Sequence, residues 1–335
     1  MASSPELPSV AADNHPRLGW IGLGSMGLAM ALNLQSHVSR IGAPSLRFYN
    51  RTEARGESIR EIGGVQSTSV QDVIASVDIC FMSVSDENVV NSIISSILGI
   101  PAHQLLGKII VDTSTIHPDT SSWAQRHLSE KGVSFIAAPV FGASPVAREG
   151  KLLFVVAGAD KAVKAIEPFL DGVMARKTLY VGTDAAQASL LKTTGNFITG
   201  GMMELISEAH VFAEKSGIGN EALESLIEHQ YGALPFAMSK RITGGHYLPA
   251  KGERPWSDLQ LAQKDMKLGV DYAEKVGTSL LIADVVINHY GEASRYGEEN
   301  KRALDSSSMY GVLRSHAGLE FESDRVKKRD NTDIQ

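Results

Sequence analysis

The apolar positions of this chain follow two patterns. Up to about residue 182 they fall in short runs, each too short for a helix: Leu18–Ile21, Leu46–Asn50, Ile79–Ser83, Lys108–Asp112, Ser134–Ala137 and Leu153–Ala157. Between the runs lie stretches with helical spacing, such as 25–38, where Leu28, Ala31, Leu32 and Leu34 share a face, and 52–62, 86–98, 118–130 and 160–171. Strand and helix in alternation predict a mostly parallel sheet with helices on both faces. After Gly182 no convincing strand follows. Residues 185–216 contain no proline and only scattered glycines (Gly195, Gly200, Gly201). They predict one helix of about 45 Å. That helix would leave the first domain, 16–182, and form the spine of an all-α second domain, 183–318. Breaks are expected at 217–219, Gly244-Gly245, Pro249 and 252–255. Residues 1–15 are rich in Ser, Ala and Pro and read as a disordered tail. Residues 319–335 are highly charged and read as a second tail.

Composition narrows the function classes. The chain has 335 residues, 43% hydrophobic and 21% charged, enough for two domains with a sizeable core. A net charge of −6 argues against a general nucleic-acid surface. No apolar run approaches the ~18 residues of a membrane span. The N-terminal segment lacks the apolar core of a secretion signal, so the cytoplasm is the default compartment. The single cysteine, Cys80, excludes an intramolecular disulfide and reads as a small core residue. Ten histidines are scattered without metal-ligand spacing, so no metal site is expected.

The first strand runs into Gly22-Leu23-Gly24-Ser25-Met26-Gly27. Gly22 permits a tight turn, Gly24 lets the backbone approach a pyrophosphate, and Gly27 lets the next helix pack close to the sheet. The N–H groups at the helix start then face the phosphates. This is the fingerprint of a Rossmann dinucleotide-binding domain. An NAD-selective site carries an acid about 20 residues further on, which bonds the ribose 2′-hydroxyl. Here the second strand ends in Asn50-Arg51-Thr52, with no acid before Glu53. A carboxylate would repel a 2′-phosphate, whereas an arginine holds one through two parallel bonds. The expected cofactor is therefore NADP(H).

Further segments follow in order: Ala29–Leu34, then Asp112-Thr113-Ser114-Thr115-Ile116-His117-Pro118, Ala138-Pro139-Val140, Lys192-Thr193-Thr194-Gly195-Asn196 and Lys264-Asp265. Over residues 17 to 310 the chain resembles the β-hydroxyacid dehydrogenase superfamily, which includes 3-hydroxyisobutyrate dehydrogenases and glyoxylate/succinic semialdehyde reductases. The resemblance implies that Lys192 is the general acid/base and that Asn196 binds substrate. At i and i+4 the two share one helix face. It implies substrate contacts at Ser114, Phe141 and Gly142, and cofactor contacts at Ser83, Val84, Asn88, Thr115 and Lys264. The chemistry is coherent, because hydride addition to a carbonyl leaves charge on oxygen that a positioned ammonium stabilises and protonates. A lysine near its ordinary ~10.4 is a poor base at neutral pH, so the site is expected to lower it. Family members pair through the helical region, which implies a homodimer.

The chain departs from the pattern at the substrate loop. The family usually reads Pro-Val-Ser-Gly-Gly there, and its serine helps hold the substrate carboxylate; this chain has Pro139-Val140-Phe141-Gly142-Ala143. Ala186 and Ala188 stand where the family tends to have glycine, and Ser83-Val84 replace a Leu-Pro pair. The expected small-molecule substrate is a carbonyl compound or hydroxyacid bulkier or less anionic than 3-hydroxyisobutyrate. Two alternatives stand beside this reading. Imine reductases share the architecture but typically lack the lysine. A non-catalytic NADP(H)-binding sensor or scaffold would keep only the dinucleotide site.

Overall fold

The computed structural model describes residues 15–332. The first part runs β1 (Leu18–Ile21), α1 (Ser25–Arg40), β2 (Arg47–Tyr49), α2 (Glu57–Glu61), β3 (Val65–Gln66), α3 (Val70–Ser76), β4 (Ile79–Met82), α4 (Glu87–Leu98), α5 (Ala102–Leu105), β5 (Ile109–Asp112), α6 (Pro118–Ser129) and β6 (Ser134–Ala137). These strands form a six-stranded sheet of order β3-β2-β1-β4-β5-β6, parallel throughout. Such a sheet is covered on both faces, which is why β1 and β4 are buried at every residue. Trp20 and Phe81, opposite each other on β1 and β4, stack with ring centroids 5.7 Å apart. The expected α/β class and doubly wound parallel sheet are present.

One expected strand lies elsewhere. Residues 153–157 read as part of the main sheet, but β8 (Leu152–Val156) sits in a separate three-stranded sheet between β7 (Val140–Phe141) and β9 (Ala175–Tyr180). Its pairing with β7 is antiparallel and with β9 parallel. The chain runs on from β6 through Pro139 into β7 and reverses only at Ser144–Arg148, so residues 153–157 return antiparallel to 137–141; the bridge between Ala137 and Ala157 fastens the two sheets together. Between these strands lie α7 (Ser144–Arg148) and α8 (Asp160–Ile166).

The rest is helical: α9 (Ala185–Ser216), α10 (Asn220–Tyr231), α11 (Ala233–Thr243), α12 (Leu259–Lys275), α13 (Leu281–Glu299), α14 (Met309–His316) and α15 (Asp324–Thr332). The 32-residue α9 starts at an Asp184 cap, whose carboxylate accepts the Ala186 N–H at 3.0 Å, and stops at Gly217 in the left-handed region (φ 78°). Its first half packs on α6, β6 and β8 and its second half on α11, α13 and α14, so one helix belongs to both layers. Leu191, Ile198, Leu205 and Phe212, seven residues apart, are all exposed on it. Leu281, Ile282 and Val285 of α13 are exposed too, and Ile282 lies against Gly201 of α9.

The charged C-terminal segment is not a tail as far as residue 332. Phe321 and Val326 are buried in the helical core, and Phe321 stacks on Tyr296 at 3.6 Å. Tyr247 donates its hydroxyl to the Phe321 carbonyl at 2.9 Å, and Arg302 pairs with Asp330 at 3.0 Å. Two well-spaced apolar anchors and pairing of the charges suffice to dock α15. The expected N-terminal tail lies outside the described residues, apart from residue 15. No described helix is long and apolar enough to cross a membrane.

Candidate active site

The glycine turn sits where the strand order reverses, with β1 flanked by β2 and β4, the crevice in which open parallel sheets bind ligands. Each glycine meets its expected constraint. Gly22 has φ 94°, and a Cβ there would lie 2.2 Å from the Ser83 carbonyl oxygen; at Gly27 a Cβ would lie 2.3 Å from the Gly22 oxygen. A Cβ at Gly24 would meet nothing within 4 Å, so this side of the turn is open. No side chain caps the first turn of α1, and that turn carries no acid. An uncapped helix start beside an unobstructed glycine fits a pyrophosphate.

Asn50, expected at the cofactor, is bonded to the backbone on both sides. Its Oδ1 accepts the Leu23 N–H at 2.8 Å and its Nδ2 donates to the Thr52 carbonyl at 2.8 Å. The amide thus braces the glycine turn against the end of β2. Arg51 and Thr52 are exposed beside it, and Arg51 forms no ion pair among the described residues. Ser114, expected at the substrate, is buried, and its Oγ accepts the Val84 N–H at 3.0 Å. It therefore ties the loop after β5 to the loop after β4. Asp112 holds the Ser114 N–H at 2.9 Å, while its other oxygen is buried without a partner. Burial pushes this carboxyl up to about 6, against the opposing pull of the Ser114 bonds. Ser83 continues the sheet through its N–H to the Ile21 carbonyl at 2.9 Å, and Asn88 is exposed in the first turn of α4.

The second half of the site is a chain of bonds anchored on α9. Lys192 Nζ donates to Asn196 Oδ1 at 2.8 Å, and Asn196 Nδ2 donates to Asp265 at 2.9 Å. The acceptor-only carboxylate fixes which end of the amide faces which partner. Asp265 also pairs with Lys264 at 2.8 Å, and Lys264 Nζ donates to the Thr115 carbonyl at 2.7 Å. The helix α12 thereby joins the Lys192–Asn196 face of α9 to the loop after β5. Lys192 is only 8% exposed. Burial lowers its ammonium to about 8, with Lys264 pushing the same way and Asp265 opposing. A lysine in that range both donates and accepts protons near neutral pH.

Phe141 completes the site. Its ring centroid is 4.2 Å from Lys192 Nζ, and its Cζ lies 2.3 Å from where a Cβ on residue 195 would be. Gly195 is therefore the notch that admits the ring. Gly142 follows at φ 131°, hemmed by Leu152 and Val146. Ser144 donates its hydroxyl to the Trp256 carbonyl at 2.9 Å, which brings the segment before α12 against the substrate loop. Trp256 stacks on His246 at 3.9 Å. The structure thus gathers Lys192, Asn196, Phe141 and Lys264 in one place, with Thr115 held to Lys264, and Asn50, Ser83, Val84 and Ser114 round the glycine turn. Sequence reasoning gave no task to Asp265 or Gly195. The first had a signal in its adjacency to Lys264; the second had none, because its partner is a remote residue. No group of three or more His, Cys, Asp and Glu residues among the described residues is placed to hold a metal.

Residues 17–182 match the family described as the NAD binding domain of 6-phosphogluconate dehydrogenase. The chain is 30% identical over 303 residues to the NADH-dependent oxidoreductase ucdB of Aspergillus ustus, covering 89% of this chain and 99% of that protein. It is 28% identical over 303 residues to the chloroplastic glyoxylate/succinic semialdehyde reductase 2 of Arabidopsis thaliana, covering 89% and 79%. It shares the fold of a 3-hydroxyisobutyrate dehydrogenase from Salmonella typhimurium, with a TM-score of 0.74 at 22% identity over 88% of this chain and 99% of that one.

Proposed function

The chain belongs to the β-hydroxyacid dehydrogenase family of NAD(P)-dependent oxidoreductases, and on that premise we propose that it reduces a weakly anionic or uncharged carbonyl compound with NADPH, Lys192 giving the proton. The observation that carries the reading is the buried Lys192 aimed by Asn196 and Asp265. The glycine turn and the open start of α1 would hold the pyrophosphate, and the dinucleotide, when bound, supplies the hydride. Lys192 stabilises the charge on the substrate oxygen and protonates it; in the oxidative direction its neutral amine takes the alcohol proton. Asn196 keeps the ammonium directed, and Lys264 holds the Thr115 loop to the same network.

Phe141 supports the choice of substrate. A ring over Lys192 contributes a π face where a carboxylate would need donors, and it excludes water from the lysine. The preference for NADPH is supported by the exposed Arg51 and by the absence of an acid before Glu53. The exposed stripe on α9 and α13 supports a homodimer, since an apolar patch of that extent on a soluble chain marks an interaction surface.

The deciding experiment is a panel of aldehydes, semialdehyde acids and cyclic imines assayed with NADPH and with NADH, repeated with Lys192→Ala. Carbonyl reduction that prefers uncharged aldehydes and falls at least a hundredfold in the variant is the expected result. A strong preference for semialdehyde acids overturns the substrate reading, and a preference for NADH overturns the role of Arg51. Imine reduction that survives Lys192→Ala favours an imine reductase. Tight NADPH binding without turnover on any compound favours a sensor.

A further inference from the structure

Lys192, Asn196 and Gly200 follow one another at four-residue intervals along the face of α9 that α12 and α13 cover. Beyond Asn196 that face meets Tyr290 of α13. Tyr290 is 3% exposed, and its Oη would lie 3.8 Å from a Cβ on Gly200. The Met266 methyl group lies 2.3 Å from that same Cβ position, and Met266 adjoins Asp265, the partner of Asn196. The charged groups acting on the phenol are Asp305, Arg241, Glu204 and Asp265. The Arg241–Asp305 pair, closed at 2.6 Å, also takes the Ser257 N–H at 3.0 Å and so holds the segment carrying Trp256. Tyr290 faces α9 at Gly200, one helical turn beyond Asn196.

Its hydroxyl makes no hydrogen bond to any described residue. The other two large buried tyrosines of this core are satisfied. Tyr247 donates to the Phe321 carbonyl at 2.9 Å and accepts the Ser323 N–H at 2.8 Å, and Tyr310 accepts from Arg314 at 3.3 Å. The Tyr290 ring is buried while its hydroxyl has no partner among the described residues, and a phenylalanine would fill the same space.

We propose that the Tyr290 hydroxyl binds a second polar group of the substrate, carried about one helical turn, ~6 Å, beyond Asn196. This rests on the reading of the Lys192 region as the active site. It narrows the substrate class to carbonyl compounds with an uncharged hydroxyl or carbonyl oxygen at the far end of an apolar spacer.

The test uses para-substituted benzaldehydes in matched pairs: hydroxymethyl against ethyl, and 2-hydroxyethyl against propyl. For one pair at least, the wild-type kcat/KM is expected to favour the hydroxyl member roughly tenfold, chiefly through KM, and Tyr290→Phe is expected to abolish that preference. A preference that persists in Tyr290→Phe, or no preference in the wild type, overturns the proposal. Calorimetric binding of the corresponding benzyl alcohols to Lys192→Ala saturated with NADP+ separates this from a failure of the catalytic reading. Loss of turnover with a Tyr290-dependent binding preference supports the tyrosine contact, and equal affinities across each pair overturn it.

Discussion

A charged ammonium buried beside a phenyl ring is stable only if something holds it, and here the holder is one amide oxygen. At Lys192 the charged and neutral forms are balanced at about pH 8. The reductive reaction needs the charged form, which is full below that value and lost above it. Carbonyl reduction is therefore expected to decline as pH rises through about 8, and alcohol oxidation to rise over the same range, measured as kcat/KM profiles. A second prediction concerns the ring. Gly195→Ala places a methyl 2.3 Å from Phe141 Cζ and is expected to cost about 1–3 kcal/mol in urea unfolding. In a Phe141→Ser background the same change should stabilise by about 1 kcal/mol, the ordinary helical gain of alanine over glycine. That Lys192 and Asn196 share one helix face was legible in the sequence because helical spacing is local. The Phe141–Gly195 fit was not, because it joins a strand to a helix far along the chain. Asn50 was read by its chemistry rather than its position, and its amide bonds to the backbone on both sides.

The elements that were legible are those whose apolar period runs long enough to register. The helix α9 was read to its ends because no proline interrupts residues 185–216 and glycines follow at 217–219. The strand β3 has only two residues, and β9 carries Arg176 and Lys177 side by side and lies largely exposed on an edge, so neither stood out. The helix α15 was misread for a related reason: its anchors, Phe321 and Val326, are sparse among charges. Removal of residues 319–335 is expected to destabilise the helical region by about 3 kcal/mol or more, since it strips the Phe321 ring from Tyr296 and leaves the Tyr247 hydroxyl unpaired. A lower thermal midpoint of the truncated chain, with the dinucleotide-binding half unfolding separately, would check it. Unchanged melting would show that α15 contributes nothing.

In the molecule as a whole, strand–helix alternation revealed the doubly wound sheet, because each unit is local. The separate three-stranded sheet depends on where the chain reverses after β7 and on pairing with residues beyond 170, which no short pattern encodes. The exposed stripe on α9 has its consequence at this scale too. Leu205→Asp is expected to convert a dimer to monomers in sedimentation equilibrium while leaving the far-ultraviolet dichroism unaltered, since Leu205 is 67% exposed in the single chain. A wild-type chain that sediments as a monomer would remove the case for pairing.

The ammonium of Lys264 grips the Thr115 carbonyl on one side and Asp265 on the other, and this has a consequence for the order of events. A dinucleotide that steadied the Thr115 loop would, through Lys264 and Asp265, steady Asn196 as well. By thermodynamic reciprocity, whatever factor the dinucleotide adds to substrate affinity, the substrate must add to dinucleotide affinity. The expected kinetic signature is an ordered sequence in which the dinucleotide arrives first and leaves last, and in Lys264→Ala that order should relax toward random.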